Sequence, residues 1–278
     1  LTDFTVINTN NTGTGSLRDA MQSVASGDRI LFAIPTSDLG YNATTGSWTI
    51  AINSALPTVS ASSVTIDAST QQAQPGASTS HPAIELTAGE GYTGSGLDVI
   101  SGNNVIRGFA INQFDSGILL RTADGNSNLV VGNFIGTDVT GTIDLGNRSY
   151  GVRVTGSNNT IGGTTAADRN LISGNESDGI IVVNTGLNPG TGNIIIGNYI
   201  GTDLTGTQPI ANTNAGVRLL TSDNTVGGAA DGAGNVVAAS GAEGIFVQAA
   251  SNRIERNLIG TNATGTAAIA NAFSGLTI

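Results

Sequence analysis

The feature that most constrains this chain is a unit of about sixty residues that occurs three times. The copies begin with NFIGTDVTGT at Asn133, NYIGTDLTGT at Asn198 and NLIGTNATGT at Asn257, so their starts are 65 and 59 residues apart. A period of this size is typical of repeat architectures, in which each unit packs against its neighbours. The repeat therefore constrains the architecture before any residue can be given a chemical role.

A second pattern shows that each unit contains two turns of a coil. A glycine followed by apolar, variable and apolar residues recurs as GLDV, GILL, GVRV, GIIV, GVRL, GIFV and GLTI, at Gly96, Gly117, Gly151, Gly179, Gly216, Gly244 and Gly275. The number of residues between successive glycines is in each case large enough for one turn of a three-sided coil. Alternation along a strand then places the two flanking aliphatic residues inward and the middle residue outward. An asparagine recurring at one corner predicts a ladder of stacked amides along the axis.

Composition agrees with short strands and tight turns, and it excludes several function classes. The chain has 40 glycines in 278 residues and 11% charged residues. There is no cysteine, which excludes disulfides and thiolate metal sites. All ten basic residues are arginine, so no lysine nucleophile exists. A net charge of −10 disfavours nucleic-acid binding, and no apolar run approaches the roughly 20 residues of a membrane span.

The N-terminal region predicts a cap for the stack of coils. GTGSLRDAMQSVASGD reads as a helix from Ser16 to Ala25, whose single apolar face would cover the open end of the stack. We therefore expect one domain, 1–278, with a cap at 1–35 and coils at 48–278. Since GLTI begins a new coil at the last residues, we expect either further coils beyond 278 or docking of this open end on another chain.

Several motifs together resemble a known family. NTNNTGTGSLRDAM, GNxIGTDxTGT, NTIGG, NLISGN and GIxV resemble the secreted and surface-exposed bacterial right-handed parallel β-helix repeat proteins of the pectin-lyase-like superfold. The resemblance covers essentially the whole chain. It implies an all-β, single-stranded right-handed parallel β-helix and a secreted or cell-surface location. From the spacing of the strands we estimate about nine to ten coils. The fold hosts lyases, hydrolases, epimerases, adhesins and passive stalks, so it assigns no activity.

Candidate ligand-binding residues lie at the outward positions of the glycine-led strands. Arg153 and Arg218 should lie two coils apart, about 10 Å, with Ile181 between them, which could hold two charges of an anionic glycan. Asp98 lies in the same column. The alternative is that the arginines pair with Asp178, Glu243 or acidic turn residues on a solvated face.

The repeated turn and the single histidine offer two further candidates. Asp138 and Asp203 occupy the same position of the IGTDxTGT turn, where a Ca²⁺ site is one interpretation and turn formation through accepted backbone hydrogen bonds is the other. Each copy contributes only one acid. His81 lies before a strand without a carboxylate nearby in sequence, and it is interpreted as a loop residue.

These observations favour a non-catalytic function. No signature of the pectate-type lyases, the polygalacturonase-type hydrolases or the alginate epimerases is present, and no cofactor is expected apart from the Ca²⁺ alternative. We expect an extracellular or cell-surface module with a structural, adhesive or self-assembly role. The alternatives are a polysaccharide-active enzyme, either lyase or glycoside hydrolase, and a glycan-binding module. The expected partners are a second copy at the uncapped C-terminal coil and an anionic or neutral polysaccharide.

Overall fold

Three sheets running along a common axis form the body of the protein. The computed structural model describes residues 1–121, 126–186 and 189–278. In each regular coil the chain passes through sheet A, then sheet B, then sheet C, and each new coil adds a strand to each sheet by parallel pairing. The protein is therefore a parallel β-helix, as the repeat and the resemblance predicted.

Sheet A contains nine strands and starts at the N-terminus. Its first two strands both lie within the predicted cap, 1–35, and pair in parallel, so the sheet begins inside that segment. In order, the strands are β1 Asp3–Val6, β2 Arg29–Phe32, β5 Thr65–Asp67, β8 Val105–Arg107, β11 Leu129–Val131, β14 Thr160–Gly162, β17 Ile194–Ile196, β20 Thr225–Gly227 and β23 Arg253–Glu255.

Sheet B also contains nine strands. Its first pair is antiparallel, because Tyr41–Asn42, in the segment before Trp48, forms a short strand that pairs with the start of the next one. The strands are β3 Tyr41–Asn42, β4 Ser47–Ile52, β6 Ile84–Ala88, β9 Phe109–Asn112, β12 Phe134–Ile135, β15 Leu171–Ile172, β18 Tyr199–Ile200, β21 Val236–Val237 and β24 Leu258–Ile259.

Sheet C contains seven strands, and they are the glycine-led strands of the sequence pattern. They are β7 Leu97–Val99, β10 Ser116–Leu120, β13 Tyr150–Val154, β16 Ile180–Val182, β19 Val217–Leu219, β22 Ile245–Val247 and β25 Leu276–Thr277.

The core consists of columns of aliphatic side chains inside the coils. β-branched residues fit the pleated, tightly spaced strands, and full burial of one such side chain contributes about 1.5–3 kcal/mol. One column of sheet C shows the pattern. Its last member, Leu276, is 39% exposed, and the members before it are 0% exposed: Leu97, Ile118, Val152, Ile180, Val217 and Ile245. The predicted inward and outward alternation is therefore confirmed on this sheet.

Asparagines form ladders at three corners of the coil, and all of them are buried except the last member of each ladder. At the corner between sheets A and B, Asn170 Nδ2 donates to Asn198 Oδ1 at 2.9 Å and to the carbonyl of Val130 at 2.8 Å. Each amide thus satisfies backbone groups of the tight turn and joins neighbouring coils. The three sets are Asn104, Asn128, Asn159, Asn193, Asn224 and Asn252; Asn133, Asn170, Asn198, Asn235 and Asn257; and Asn147, Asn175, Asn212 and Asn271.

The N-terminal helix, α1, spans Leu17–Ser23. Ser16 caps it by accepting a hydrogen bond from the Asp19 backbone N, and Asp19 Oδ2 accepts one from the Gly15 backbone N at 2.9 Å. The helix ends before the predicted Ala25, because Val24 already has an extended backbone with ψ of 136°. Its buried residues Leu17, Ala20 and Met21 pack into the core, as predicted.

Two further features complete the fold. A 3₁₀ helix, Ala68–Ala73, follows β5 and projects at the corner between sheets A and B. Among the described residues, no helix is both long and apolar enough to cross a bilayer.

Candidate functional site

The outer face of sheet C carries the residues that the sequence singled out. The strand register aligns Asp98, Leu119, Arg153, Ile181, Arg218 and Phe246 in one column along the axis. Arg153 and Arg218 are therefore two coils apart with Ile181 between them, as predicted. We use the term sheet C face for this column together with its flanking residues Tyr150 and Asp178.

Asp98 is neutralised by a neighbouring arginine. Arg121 donates from Nε to Oδ1 at 2.8 Å and from a terminal nitrogen to Oδ2 at 2.7 Å. This bidentate geometry occupies both carboxylate oxygens. Asp98 lies in the predicted column, but its charge is already balanced within the protein.

Arg218 is also paired, with Asp178 of the preceding coil. Its Nε donates to Asp178 Oδ1 at 3.0 Å, and the backbone N of Ala215 donates to the same oxygen at 3.0 Å. The guanidinium carbon lies 4.8 Å from the centre of the Phe246 ring, within the range of a cation–π contact. The side chains of Arg218 and Asp178 are 18% and 3% exposed, so this is a nearly buried ion pair.

Burial changes the pKa of Asp178. Desolvation raises the pKa of this carboxyl above its ordinary value, and the attraction and hydrogen bond of Arg218 oppose that shift without cancelling it. Glu243 adds a small upward contribution through its negative charge. The ion-pair alternative raised for the outward arginines is thus confirmed for Arg218.

Arg153 differs from the other arginine of the column. Among the described residues it has no carboxylate within salt-bridge distance, and its Nε is buried without a hydrogen-bond partner. Its guanidinium carbon lies 5.8 Å from the centre of the Tyr150 ring. A buried donor without a partner costs about 1–3 kcal/mol, and an acceptor oxygen of a ligand would remove this cost.

Sequence reasoning missed one contributor to this face. Tyr150 stands immediately before Gly151, and Asp178 stands immediately before Gly179, at the same position of the next coil. The signal was present, because the residue before each glycine repeats in phase with the strands. Only the middle position of each strand was considered as an outward ligand-binding position, so Tyr150 was overlooked.

The predicted Asp138 and Asp203 lie in the turns that follow β12 and β18 of sheet B, and each serves its own turn. Asp138 Oδ1 accepts from the backbone N of Thr142 at 3.1 Å and of Ile143 at 3.0 Å, and Thr140 Oγ1 donates to Oδ2 at 2.6 Å. These are the contacts expected for turn formation.

The second copy of the turn repeats this arrangement. Asp203 Oδ1 accepts from the backbone N of Thr207 at 2.9 Å and of Gln208 at 3.0 Å. Burial alone would raise the pKa of Asp203, but these hydrogen bonds together with that of Thr205 outweigh it and lower the pKa. In the third copy Asn262 takes the same place and accepts from Thr266 and Ala267.

A metal site at these turns remains a prediction. In the part of the chain that the structure describes, no three His, Asp or Glu side chains are grouped closely enough to hold a metal ion. Asp138 and Asp203 each use both carboxylate oxygens inside the turn.

The chemistry available on the sheet C face is recognition of anions. Arg153 supplies a guanidinium with an unused donor, Tyr150 supplies a ring, and Phe246 lies three coils away from Arg153. Aromatic rings and arginines are the side chains that stack on sugar rings and bind carboxylates. The two acids of the face, Asp98 and Asp178, are both engaged in ion pairs.

Comparison with known proteins adds little to this picture. No protein-family profile matches the chain, and no curated protein sequence matches it. Among solved structures, the crystal structure of alginate lyase from Paenibacillus sp. str. FPU-7 matches over 100% of this chain and 99% of that chain, at 16% sequence identity and a TM-score of 0.34. A likeness this low carries no argument about the chemistry of the present chain.

Proposed function

We propose that this chain is an extracellular or cell-surface β-helix module that binds an acidic polysaccharide along the sheet C face. The observation that carries the proposal is the guanidinium of Arg153, which has a buried Nε without a hydrogen-bond partner and no carboxylate partner among the described residues. A carboxylate or sulfate of a glycan would pair with this partly exposed guanidinium and balance its charge.

The spacing along the face supports a polymeric ligand. Two guanidinium–aromatic contacts, Arg153 with Tyr150 and Arg218 with Phe246, occur on strands two positions apart in the sheet. Neighbouring parallel strands are about 4.8 Å apart, so the two arginines are separated by about 10 Å along the axis. A polysaccharide lying parallel to the axis could therefore contact both sites.

The state of the carboxyl groups favours binding without turnover. Hydrolysis of a glycosidic bond generally requires two carboxyl groups facing the substrate. Asp98 is held by Arg121, and the Asp178 side chain is 3% exposed beneath its ion pair with Arg218. The proposal therefore combines the adhesive role expected from the sequence with the glycan-binding alternative, and it leaves a polysaccharide-active enzyme as the competing function.

A binding experiment with matched variants tests the proposal. Affinity electrophoresis through gels containing polygalacturonate, alginate or a neutral glucan would compare the native chain with Arg153→Gln and Arg253→Gln. Arg253 is 67% exposed on sheet A, so its substitution changes the net charge equally while leaving the sheet C face intact. We expect Arg153→Gln to weaken retention by at least about tenfold, because a charged hydrogen bond contributes about 1.5–3 kcal/mol.

Two outcomes would reject the proposal. The first is equal retention in acidic and neutral gels, and the second is an equal effect of the two substitutions. Incubation of the same glycans with the native chain, followed by chromatography of the products, distinguishes binding from cleavage. Shortened or unsaturated products would establish the enzymatic alternative instead.

Self-association through the last coil is a separate proposal. Phe273 and Leu276 are 74% and 39% exposed there. Sedimentation equilibrium over a wide concentration range tests it, and a strict monomer at high concentration would reject it.

A further inference from the structure

A cleft lies at the corner where sheet A turns into sheet B, away from the sheet C face. Its volume is about 310 Å³. This is at the lower end of the roughly 300–1,000 Å³ of ligand pockets, which is suited to a ring-sized molecule. Two loops flank it: residues 68–82, which follow β5, and residues 163–169, which follow β14.

Two glycines allow these loops to lie directly against the corner. Gly108 has φ of +82°, and a Cβ on it would lie 2.4 Å from the backbone N of Ser69. Gly132 has φ of +64°, and a Cβ there would lie 2.7 Å from the carbonyl oxygen of Ala167. Because both backbones approach within contact of a loop, the walls of the cleft are held in place without intervening side chains.

Arg107 contributes an incompletely paired cation to the cleft. The register places it directly beside Asp67 of the preceding strand, but its Nε is 3.7 Å from Asp67 Oδ1, beyond hydrogen-bond distance. That oxygen is already used by Ser69, whose backbone N donates to it at 3.0 Å at the start of the 3₁₀ helix. As a result the Nε of Arg107 is buried without a hydrogen-bond partner among the described residues.

Arg169 places a second guanidinium on the opposite wall. Its Nε donates to the carbonyl of Gly197 at 3.2 Å, and its guanidinium carbon lies 4.1 Å from the centre of the Tyr199 ring. These two contacts fix its orientation. Within the described residues it has no ion-pair partner.

His81, the only histidine of the chain, also lines the cleft. Its Nδ1 is 3.0 Å from the carbonyl oxygen of Pro82, and since a carbonyl can only accept, Nδ1 is the donor in this hydrogen bond. Gln72 fixes this segment by donating to the His81 carbonyl at 2.9 Å. His81 lies in a loop, as the sequence predicted. The sequence did not show that this loop forms a wall of the cleft.

The lining of the cleft has a charge opposite to that of the protein as a whole. Two arginines and a histidine line it together with hydroxyl and amide side chains, and no Asp or Glu is among the described residues that line it. The chain itself has a net charge of −10. Phe134, which is 7% exposed, and Leu204 supply an apolar surface beside the cations.

We propose that this corner cleft binds a small organic oxyanion, a ring-sized molecule whose carboxylate or sulfate lies between Arg107 and Arg169 and whose apolar face packs against Phe134. Such a group would pair with the guanidinium of Arg107, whose side chain is 35% exposed and lines the cleft. The site is separate from the sheet C face, so it does not depend on the function proposed there.

Titration calorimetry with three probes tests the chemistry: glucuronic acid, glucose 6-sulfate and neutral glucose. We expect the two anionic sugars to bind and glucose to bind at least tenfold more weakly. Inorganic sulfate alone should bind more weakly than glucose 6-sulfate, because it lacks the ring. Absence of binding by both anionic sugars, or equal binding of glucose, would overturn the proposal.

A pair of variants at one exposed position localises the site without altering the arginines. Ala167 lines the cleft and is exposed. Ala167→Glu adds a negative charge beside the guanidiniums and should abolish anion binding, whereas Ala167→Gln, of the same size, should retain it within about threefold. Arg107→Gln with Arg169→Gln should also abolish binding, and thermal unfolding of each variant checks that the fold persists.

The same titrations distinguish this site from the sheet C face. Arg153→Gln should leave binding of glucuronic acid in the cleft unchanged. If Arg153→Gln abolished it, or if Ala167→Glu did not weaken it, the bound anion would lie elsewhere and the assignment to the cleft would be wrong.

Discussion

Arg218 donates a 3.0 Å hydrogen bond to Asp178, whereas Arg153, two strands earlier in the same column, has no carboxylate partner among the described residues. The two arginines occupy equivalent positions in the repeat, yet only one is neutralised. The difference arises because the residue before the strand glycine of the preceding coil is Asp178 for Arg218 but the uncharged Ser116 for Arg153. Two arginines of one column thus differ: Arg218 belongs to a structural ion pair, and Arg153 is a half-buried cation without a carboxylate partner among the described residues.

Asp178→Asn should increase affinity for acidic polysaccharides. The asparagine Oδ1 can still accept from Ala215 and Arg218, so the geometry persists, while the charge of Arg218 is no longer balanced. An additional available cation contributes about 0.2–1 kcal/mol, so affinity should rise by about two- to fivefold. Affinity electrophoresis measures this, and Asp178→Asn with Arg218→Gln should return retention to the native level. Unchanged retention of the single variant would show that Arg218 does not contact the glycan.

The raised pKa of Asp178 predicts a specific dependence of stability on pH. In the folded state its carboxyl holds a proton to higher pH than in the unfolded chain, because burial disfavours the charged form. Between the unfolded value near 3.8 and the raised folded value, the unfolded chain binds fewer protons, so the free energy of unfolding falls as pH rises. Denaturant unfolding of the native chain and Asp178→Asn across this range tests the prediction. Their difference in stability should change with pH in this window and be constant below it.

Asp203 should affect the dependence of stability on pH in the opposite direction. Its folded pKa is lowered, so its ionised form stabilises the turn above the unfolded value near 3.8, and that contribution is lost as pH falls through the lower folded value. Asp203→Asn should fold normally, because Asn262 makes the equivalent contacts in the third copy. At neutral pH it should lose about 1 kcal/mol, the scale of a hydrogen-bond difference. A loss of the same size below the folded pKa would contradict this origin.

The extent to which sequence predicted this structure differs between the repeat and the sites. The register of Arg153, Ile181 and Arg218 was predictable, because a strictly phased Gly-apolar-x-apolar pattern determines both the strand and the side chain that faces outward. The ion pair of Arg218 was one of two open alternatives. It depends on how deeply Asp178 is buried, which sequence does not report.

The corner cleft could not be predicted from the sequence, for a different reason. His81, Arg107 and Arg169 belong to three segments without a common period, and only the stacking of coils brings them to one corner. Each residue alone resembles an ordinary loop or strand-end residue. The closeness of the walls also depends on the positive φ of Gly108 and Gly132, and many glycines of this chain have that conformation without lining a cleft.

The ladders of asparagine should be stabilising to a degree that substitution can measure. Asn175 donates to Asn212 Oδ1 at 2.8 Å and to the carbonyl of Ile135 at 3.2 Å, and it accepts from Asn147 at 2.9 Å. Asn175→Ala would leave several buried groups without partners at about 1–3 kcal/mol each. We expect a loss of about 2–4 kcal/mol in denaturant unfolding, and a loss below 0.5 kcal/mol would show that backbone pairing alone holds the corner.

The same ladder contains one natural interruption, at Ser240. This residue follows Asn212 by one coil, at the position equivalent to an asparagine, and its Oγ is buried without a partner among the described residues. The surroundings of Ser240 match those of the asparagines in this ladder. Ser240 Oγ lies 2.9 Å from the Cβ position of Gly216, as Asn212 Nδ2 lies 2.9 Å from that of Gly179.

Ser240→Asn should therefore stabilise the protein. Asn212 Nδ2 donates to the carbonyl of Ile172, and Ile200 is the residue paired with Ile172 in the next coil, so an asparagine at 240 has an equivalent acceptor. Its Oδ1 could also accept from Asn212, which would join the two halves of the ladder. We expect a gain of about 0.5–1.5 kcal/mol in the free energy of unfolding, the net value of a buried hydrogen bond. Ser240→Ala is the control: it removes the unpaired hydroxyl without adding an amide and should gain less. If both variants gained equally, relief of the unpaired hydroxyl would account for the effect, and continuity of the ladder would contribute nothing at this corner.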